Sequence, residues 1–194
     1  SINIFILVAA CCFLGYLYQG PPFRFGYQGL GEPLCWLAFG PFAYSAVLIA
    51  LNPSNIYFED IPWKVSLLLG SGPSLATTLV LFCSHFHQIS EDKKHGKNSP
   101  LVRLGAKKGS QFVPWIIFTI YIFQLFTIVY GFIPVFCILY LLSFPQAIRL
   151  INLLKSSYAK PSAIKNCKFV AIKFQTLNGI GLITGLIFNY LLNK

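Results

Sequence analysis

The sequence predicts an all-α fold, a polytopic membrane helical bundle with six transmembrane helices in a single domain over residues 1–194. Three observations predict it. The chain is 56% hydrophobic and only 10% charged, where a soluble domain carries roughly 25% charged residues. Its apolar residues gather into six runs of membrane-spanning length. Its basic residues fall almost entirely into alternate connections between those runs.

The spans are read in order at 2–18, 34–51, 64–83, 112–130, 132–151 and 169–192. The first, INIFILVAACCFLGYLY, lacks a basic leader and a small-residue cleavage site, so it reads as a span rather than a signal peptide. Pro21 and Pro22 end it, because proline removes a helix hydrogen bond and clashes with the preceding turn. Gly26, Gly29 and Gly31 allow tight backbone turns before the second span begins. The third starts beside Pro62 and Trp63 and runs into a polar stretch. Only a tight turn, Gly131 to Pro134, separates the fourth from the fifth. The six cysteines, Cys11, Cys12, Cys35, Cys83, Cys137 and Cys167, lie mostly in apolar runs and form no Cys-x-x-Cys. They read as small apolar packers rather than disulfide or metal ligands.

Six spans place the connections alternately on two sides. Loops 19–33, 84–111 and 152–168 share one side and hold eleven of the fifteen basic residues. Arg149 and Lys173 lie just inside the adjoining helix ends, and the opposite side has only Lys64 and Lys194. By the positive-inside rule the basic side is cytoplasmic, or stromal in a plastid. The net charge of +10 therefore belongs to loops that face an anionic lipid surface or an anionic substrate, not to a nucleic-acid-binding face. Glu32, Glu91 and Asp92 lie on the basic side, whereas Glu59 and Asp60 lie opposite and read as an interfacial loop.

Two loops on the basic side concentrate the chemistry. CSHFHQISEDKKHGK, residues 83–97, holds all three histidines, two of the five acids and three lysines. On a helix, Gln88 and Asp92 face one way, with His85 on the same face, and His87 and Glu91 form a neighbouring pair. Carboxylates meeting cations at a helix end suit Mg²⁺, which takes oxygen ligands and shares them with phosphate. The lysines would meet the remaining phosphate charge. The alternative is a solvated loop with a run of charge. A zinc site is disfavoured, because His85 and His87 point about 200° apart on one helix. The second loop, QGPPFRFGYQGLGEP over 19–33, offers Arg24, Phe23, Phe25, Tyr27 and Glu32. Arg24 suits a two-pronged phosphate contact, or it snorkels from an ordinary interfacial loop.

Together these loops resemble a known family. YLYQGPPFRFGYQGLGEPLCWLAFGPFA (16–43) resembles the fourth-helix loop of the UbiA superfamily of intramembrane aromatic prenyltransferases, in its 1,4-dihydroxy-2-naphthoate branch. LFCSHFHQISEDKKHGKNSPLVRLGAKKG (81–109) resembles that family's second aspartate motif and the loop after it. The HFHQ form, the GKNSPLVRLG run and NCKF (166–169) are similar to the phytyl-transferring members of cyanobacteria and plastids. Where the family's second motif usually opens on aspartate, this chain has Gln88; Asp92 matches the second position and Glu91 adds an acid.

The resemblance implies transfer of a phytyl or related prenyl group from its diphosphate to 1,4-dihydroxy-2-naphthoate or its quinone form. The carboxylate is lost, on the way to phylloquinone or menaquinone, in a plastid or cyanobacterial membrane. It implies Mg²⁺ as cofactor, held by Asp92 and Glu91, with Gln88 as a weak ligand or orienter. Arg24, Lys97 and Arg103 become diphosphate candidates. Tyr18 and Tyr27 line the pocket or bond phosphate, and Glu32 orients Arg24 or the acceptor hydroxyl. The family has about nine spans, with its first aspartate motif on the second, and this chain begins near the fourth. The expectation is therefore an amino-terminally truncated fragment that holds half of a metal–diphosphate site. The alternatives are a related transferase with another donor or acceptor, and a non-enzymatic membrane protein such as a transporter subunit.

Overall fold

The structure, a computed structural model, describes residues 2–51 and 61–194. These residues are almost wholly helical. Helix α1 is Ile2–Gln19, α2 Gly31–Leu51, α3 Trp63–Ser84 and α4 the short Ile89–Lys94. Helix α5 is Pro100–Val129, and α6, Phe144–Ser157, continues a 3₁₀ run over Val135–Ser143. The one-turn α7, Pro161–Ile164, precedes α8, Cys167–Leu192. Six stretches are long and apolar enough to cross a membrane: Ile2–Gln19, Gly31–Leu51, Trp63–His87, Pro100–Val129, Val135–Ser157 and Ser162–Leu192. The predicted all-α bundle of six spans is the fold observed.

Helix α3 is the hub, with half of its spanning window buried. Its GSGPS stretch (70–74) is small enough for a neighbouring backbone to approach. A Cβ on Gly70 would come within 2.9 Å of the Gly40 carbonyl carbon, and one on Gly40 within 2.6 Å of Ser74 Oγ. Helix α2 makes this approach at a π-helical turn, Ala38–Phe42, which contains Pro41. Proline supplies no N–H to the helix ladder, and a π turn is one way a helix absorbs such a residue. Nearby, Ser45 Oγ donates to Ser66 Oγ at 2.7 Å.

On the other side of α3 lies the main core, where Leu79, Ile120, Leu150 and Phe174 are fully buried. Helix α8 crosses the 3₁₀ run so closely that a Cβ on Gly181 would meet the Leu139 carbonyl oxygen at 2.2 Å. Between α5 and α8, Gln124 Nε2 donates to Asn178 Oδ1 at 2.6 Å and Asn178 Nδ2 returns a bond to Gln124 Oε1 at 3.0 Å. Such amide pairs tie helices together where lipid offers no competing hydrogen bond. Trp115, Phe118 and Val129 point outward, as lipid-facing side chains do.

Several predicted boundaries are corrected. Helix α2 begins at Gly31 rather than 34, so Glu32 sits on a helix and not in the loop. Helix α5 begins at Pro100 rather than 112, so Arg103, Lys107 and Lys108 stand on helical turns. Lysine-rich amphipathic turns outside the apolar run carry no span signal, which is why they read as loop. Gly105, at φ 77° and ψ 157°, breaks α5 in a conformation open to glycine. The continuous helix through His85–Asp92 is also wrong: the chain makes a 3₁₀ turn over His85–His87 and restarts at Ile89 after a break at Gln88 (φ −103°, ψ 0°). Glu59 and Asp60, read as an interfacial loop, lie outside the described residues.

Candidate active site

The connection after α1 folds back on the helix it leaves. Phe25 N–H donates to Leu17 O at 2.9 Å and Gly26 N–H to Tyr18 O at 2.8 Å, which satisfies carbonyls the helix end leaves open. The fold-back packs Gly26 and Gly31 against Tyr18; a Cβ on Gly31 would lie 2.7 Å from the Tyr18 ring. Arg24 sits at the left-handed φ of 44°, exposed, with its guanidinium 5.8 Å from the Tyr27 ring centre.

This loop is stitched to the loop before α5. Asn98 N–H donates to Tyr27 O at 2.7 Å, and the Arg103 guanidinium donates to Gln28 O. Gly29, at φ 76°, permits the approach, since a Cβ there would lie 2.7 Å from Asn98 O. The two loops that the sequence singled out are thus one structure. Ile164 of the third basic-side connection is buried in the same cluster as Phe86.

Beneath the stitches runs a chain of charge. Asp92, mostly buried, has Oδ1 3.3 Å from Lys97 Nζ and Oδ2 3.2 Å from His85 Nδ1. The other ring nitrogen of His85, Nε2, lies 3.6 Å from Glu32 Oε1. His85 itself is 3% exposed and joins the start of α2 to α4. Lys97 is fixed a second time, its N–H donating to Asp92 O at 2.8 Å after the turn at Gly96. Glu91 points elsewhere, to Lys94 Nζ at 3.1 Å, and both of those groups are exposed.

Two spaces adjoin this chain. A polar hollow of about 470 Å³ is lined by Gln19, Tyr27, His87, Gln88, Glu91, Asp92, His95 and Lys97. An apolar cavity of about 750 Å³ lies between α1, α2 and α3, with Tyr18, Leu34, Cys35, Phe39, Val80 and Ser84 among its walls. Among the described residues, both Glu32 carboxyl oxygens and His87 Nδ1 are buried without a hydrogen-bond partner. Buried polar atoms are normally paired, so these await a ligand group, water or ion.

Of the residues picked from sequence, the structure gathers Asp92, Glu91, Gln88, Lys97 and Tyr27 around the hollow. Tyr18 lines the apolar cavity, and Glu32 reaches Asp92 through His85. Arg24 and Arg103 do not line the hollow; Arg103 is spent on Gln28. Sequence reasoning set His85 and His87 on helix faces beside Asp92 and Glu91 without giving them a site role, and gave none to Gln19 or His95. The signal present was the HFHQ pattern, read along one continuous helix where the chain makes a 3₁₀ turn over His85–His87.

The residues fit Mg²⁺ in part. Among the described residues no group of three or more His, Cys, Asp or Glu converges on one point, so the chain offers no complete cage. Mg²⁺ is commonly held by one or two carboxylates with substrate phosphates and water supplying the rest; Asp92 and Glu91 both line the hollow, Asp92 engaged by Lys97 and His85 and Glu91 by Lys94.

No solved structure matches the chain. It is 37% identical over 179 residues to the 2-carboxy-1,4-naphthoquinone phytyltransferase of Synechocystis, which covers 92% of this chain and 56% of the relative. It is 38% identical over 189 residues to the chloroplastic 2-carboxy-1,4-naphthoquinone phytyltransferase of Arabidopsis thaliana, which covers 96% of this chain and 49% of the relative. The chain thus spans about half the length of the curated relatives it matches. A profile of the UbiA prenyltransferase family matches residues 1–172, and with these motifs, spans and relatives the chain belongs to that family.

Proposed function

We propose that this chain carries the second-motif part of an intramembrane aromatic prenyltransferase. The donor is phytyl diphosphate or a related prenyl diphosphate. The acceptor is 1,4-dihydroxy-2-naphthoate or its quinone form, the relatives being named for the quinone, 2-carboxy-1,4-naphthoquinone. The pathway is quinone biosynthesis in a plastid or cyanobacterial membrane. The activity is that of the whole protein, and this chain spans about half the length of the curated relatives it matches. One observation carries the reading: a cation-lined carboxylate hollow at the membrane surface stands beside an apolar cavity large enough for a lipid chain.

In this reading Lys97 and the exposed end of the hollow receive the diphosphate, and Asp92 and Glu91 are the residues that would hold Mg²⁺. Held by those residues, Mg²⁺ would supply charge neutralisation for the leaving diphosphate. Lys97 adds a fixed positive charge on the same group. His85 keeps Asp92 oriented from the buried side, while Gln88 offers a neutral oxygen at the hollow's edge. Tyr18 and Phe39, in the cavity wall, supply aromatic rings of the kind that favour a developing cation. The apolar walls hold the prenyl chain and keep out the water that would quench that cation. The ring carbon of the acceptor then bonds to the allylic carbon, and the acceptor carboxylate leaves as carbon dioxide. Arg24, exposed beside Tyr27, remains a diphosphate candidate from the rim. Arg103 contributes by holding the two loops in register.

The test is a transfer assay in membranes containing the full-length protein, with phytyl diphosphate and 1,4-dihydroxy-2-naphthoate. Prenylated naphthoquinol should form with Mg²⁺ and vanish when the metal is chelated. Metal-independent transfer, or no transfer with any prenyl diphosphate, contradicts the reading.

A further inference from the structure

The far half of the bundle holds another cavity, which prenyl transfer leaves unused. Its volume is about 420 Å³, within the roughly 300–1,000 Å³ range of small-molecule sites. Tyr44 of α2, Leu68 and Pro73 of α3, Gln124 of α5, Phe132 of the turn after α5 and Gly179 of α8 are among its walls. The cavity assigned to the prenyl chain lies on the α1 side of the α2–α3 contact, and this one on the α5 and α8 side. The two are neighbours, since Ala43 lines the first and Tyr44 the second. Ile183 and Leu186, also in its wall, are exposed, so it opens outward from the bundle.

One polar group in these walls is unspent. The Gln124 amide is exchanged with that of Asn178, Thr127 Oγ1 donates to Gln124 O, and Cys137 Sγ donates to Leu182 O. Among the described residues nothing bonds the Tyr44 hydroxyl. A phenol kept from water without a partner costs free energy, so an occupant that brings an acceptor is favoured over a bare hydrocarbon chain. None of the lining residues is charged, so the occupant is uncharged as well. Depth narrows the choice further. Tyr44 lies about 10 Å along α2 from its end at Leu51. Ester carbonyls of membrane lipids ride in the interface above the hydrocarbon core. A carbonyl on a rigid apolar ring can enter that core.

We propose that this cavity is a second binding site for a membrane-dissolved naphthoquinone, with a ring carbonyl accepting a hydrogen bond from Tyr44. The choice of a naphthoquinone rests on the prenyl-transfer reading, which builds that ring system into a lipid in the neighbouring cavity. The site itself rests on the walls and on Tyr44.

The test uses the full-length protein in lipid nanodiscs with a photoreactive azido-1,4-naphthoquinone, and mass spectrometry of the crosslinked peptides. Saturable labelling should fall on α8 between Gly179 and Leu186 and on α2 beside Tyr44. A phytylated naphthoquinone should displace it, whereas added phospholipid, dihydroxynaphthoate and prenyl diphosphate should not. Tyr44→Phe should weaken the apparent affinity about two- to tenfold, the worth of one neutral hydrogen bond. Gly179→Leu should abolish the labelling while prenyl transfer continues, because a side chain there grows into open space. Labelling confined to the walls of the polar hollow or the first cavity overturns the proposal. So does displacement by phospholipid, which would make the cavity a lipid site. Absence of labelling on α8 overturns it too, since the rest of the full-length protein would then fill the space. Should Gly179→Leu fail to fold, Tyr44→Phe and the displacement series decide, and an unchanged affinity in Tyr44→Phe refutes the assignment. Tyr44-dependent labelling of a wild-type protein that transfers no prenyl group would uphold the site and contradict the transfer reading alone.

Discussion

Asp92 has a cationic side chain on one oxygen and an imidazole on the other, and its usefulness depends on both. His85→Phe keeps the apolar bulk but removes the brace, so turnover should fall at least about tenfold while the protein still folds, as buried charge-assisted bonds are worth 1.5–3 kcal/mol. Kinetics on protein recovered at wild-type levels check it, and undiminished turnover would show that His85 is only a core residue. Glu91 is different: its bond to Lys94 is exposed, and such pairs contribute about 0–1 kcal/mol, so Glu91 is free to turn toward a cation. Arg24 gives a third prediction. If it clamps diphosphate, Arg24→Lys should raise the KM for the donor, because an ammonium cannot reproduce a planar two-pronged contact. Unchanged kinetics would assign Arg24 to the interface with Tyr27. At this scale Asp92, Glu91, Gln88 and Lys97 were legible in the sequence, since charge in an apolar chain is conspicuous. His85 was legible as a neighbour of Asp92 on one face, but its reach to Glu32 was not, because that contact joins two loops far apart in the sequence.

Helix pairs follow the same small-residue logic throughout. Gly181→Ala pushes a methyl group into the backbone of the 3₁₀ run at Leu139 and should destabilise the protein by about 1–3 kcal/mol, the usual cost of overpacking. Gly179→Ala, three-dimensionally open on the same helix, is the matched control and should cost little. Thermal unfolding in detergent separates them, and equal melting temperatures would refute the close crossing. The spans themselves were legible because long apolar runs leave few other folds open to a chain. Their ends were less so. Residues 100–111 mix Arg103, Lys107 and Lys108 with small and apolar residues, a pattern that serves a surface helix as well as a loop, and the structure makes it helix. The π turn at Pro41 has no periodic signature at all.

The whole molecule gathers its chemistry at one end, where the connections after α1, after α3 and after α6 meet around His85, Asp92 and Ile164. That grouping agrees with the division of charge, eleven basic residues against two, on which the topology was read. Cysteines placed at Lys94 and Ser162, both exposed, should react with an impermeant reagent from the same side of sealed membranes, and one at Lys194 from the other. Ser110, which reads from sequence as a loop position, is 6% exposed and unsuited to such labelling. Opposite reactivity at Lys94 and Ser162 would contradict six spans. That the two loops share one end of the bundle was legible from charge alone. Which acid faces which space was not, because it is set by backbone turns at Gly29, Gly96 and Gln88 rather than by residue type. The central claim is that Asp92 holds the metal–diphosphate end of a prenyl-transfer site. Its most direct measurement is Mg²⁺-dependent phytyl transfer by the full-length protein carrying Asp92→Asn, with Gln88→Ala beside it. The account predicts a loss of at least about a hundredfold for Asp92→Asn and a smaller loss for Gln88→Ala, since only the first removes a negative charge from the site. Near-normal transfer by Asp92→Asn at saturating Mg²⁺ would contradict it.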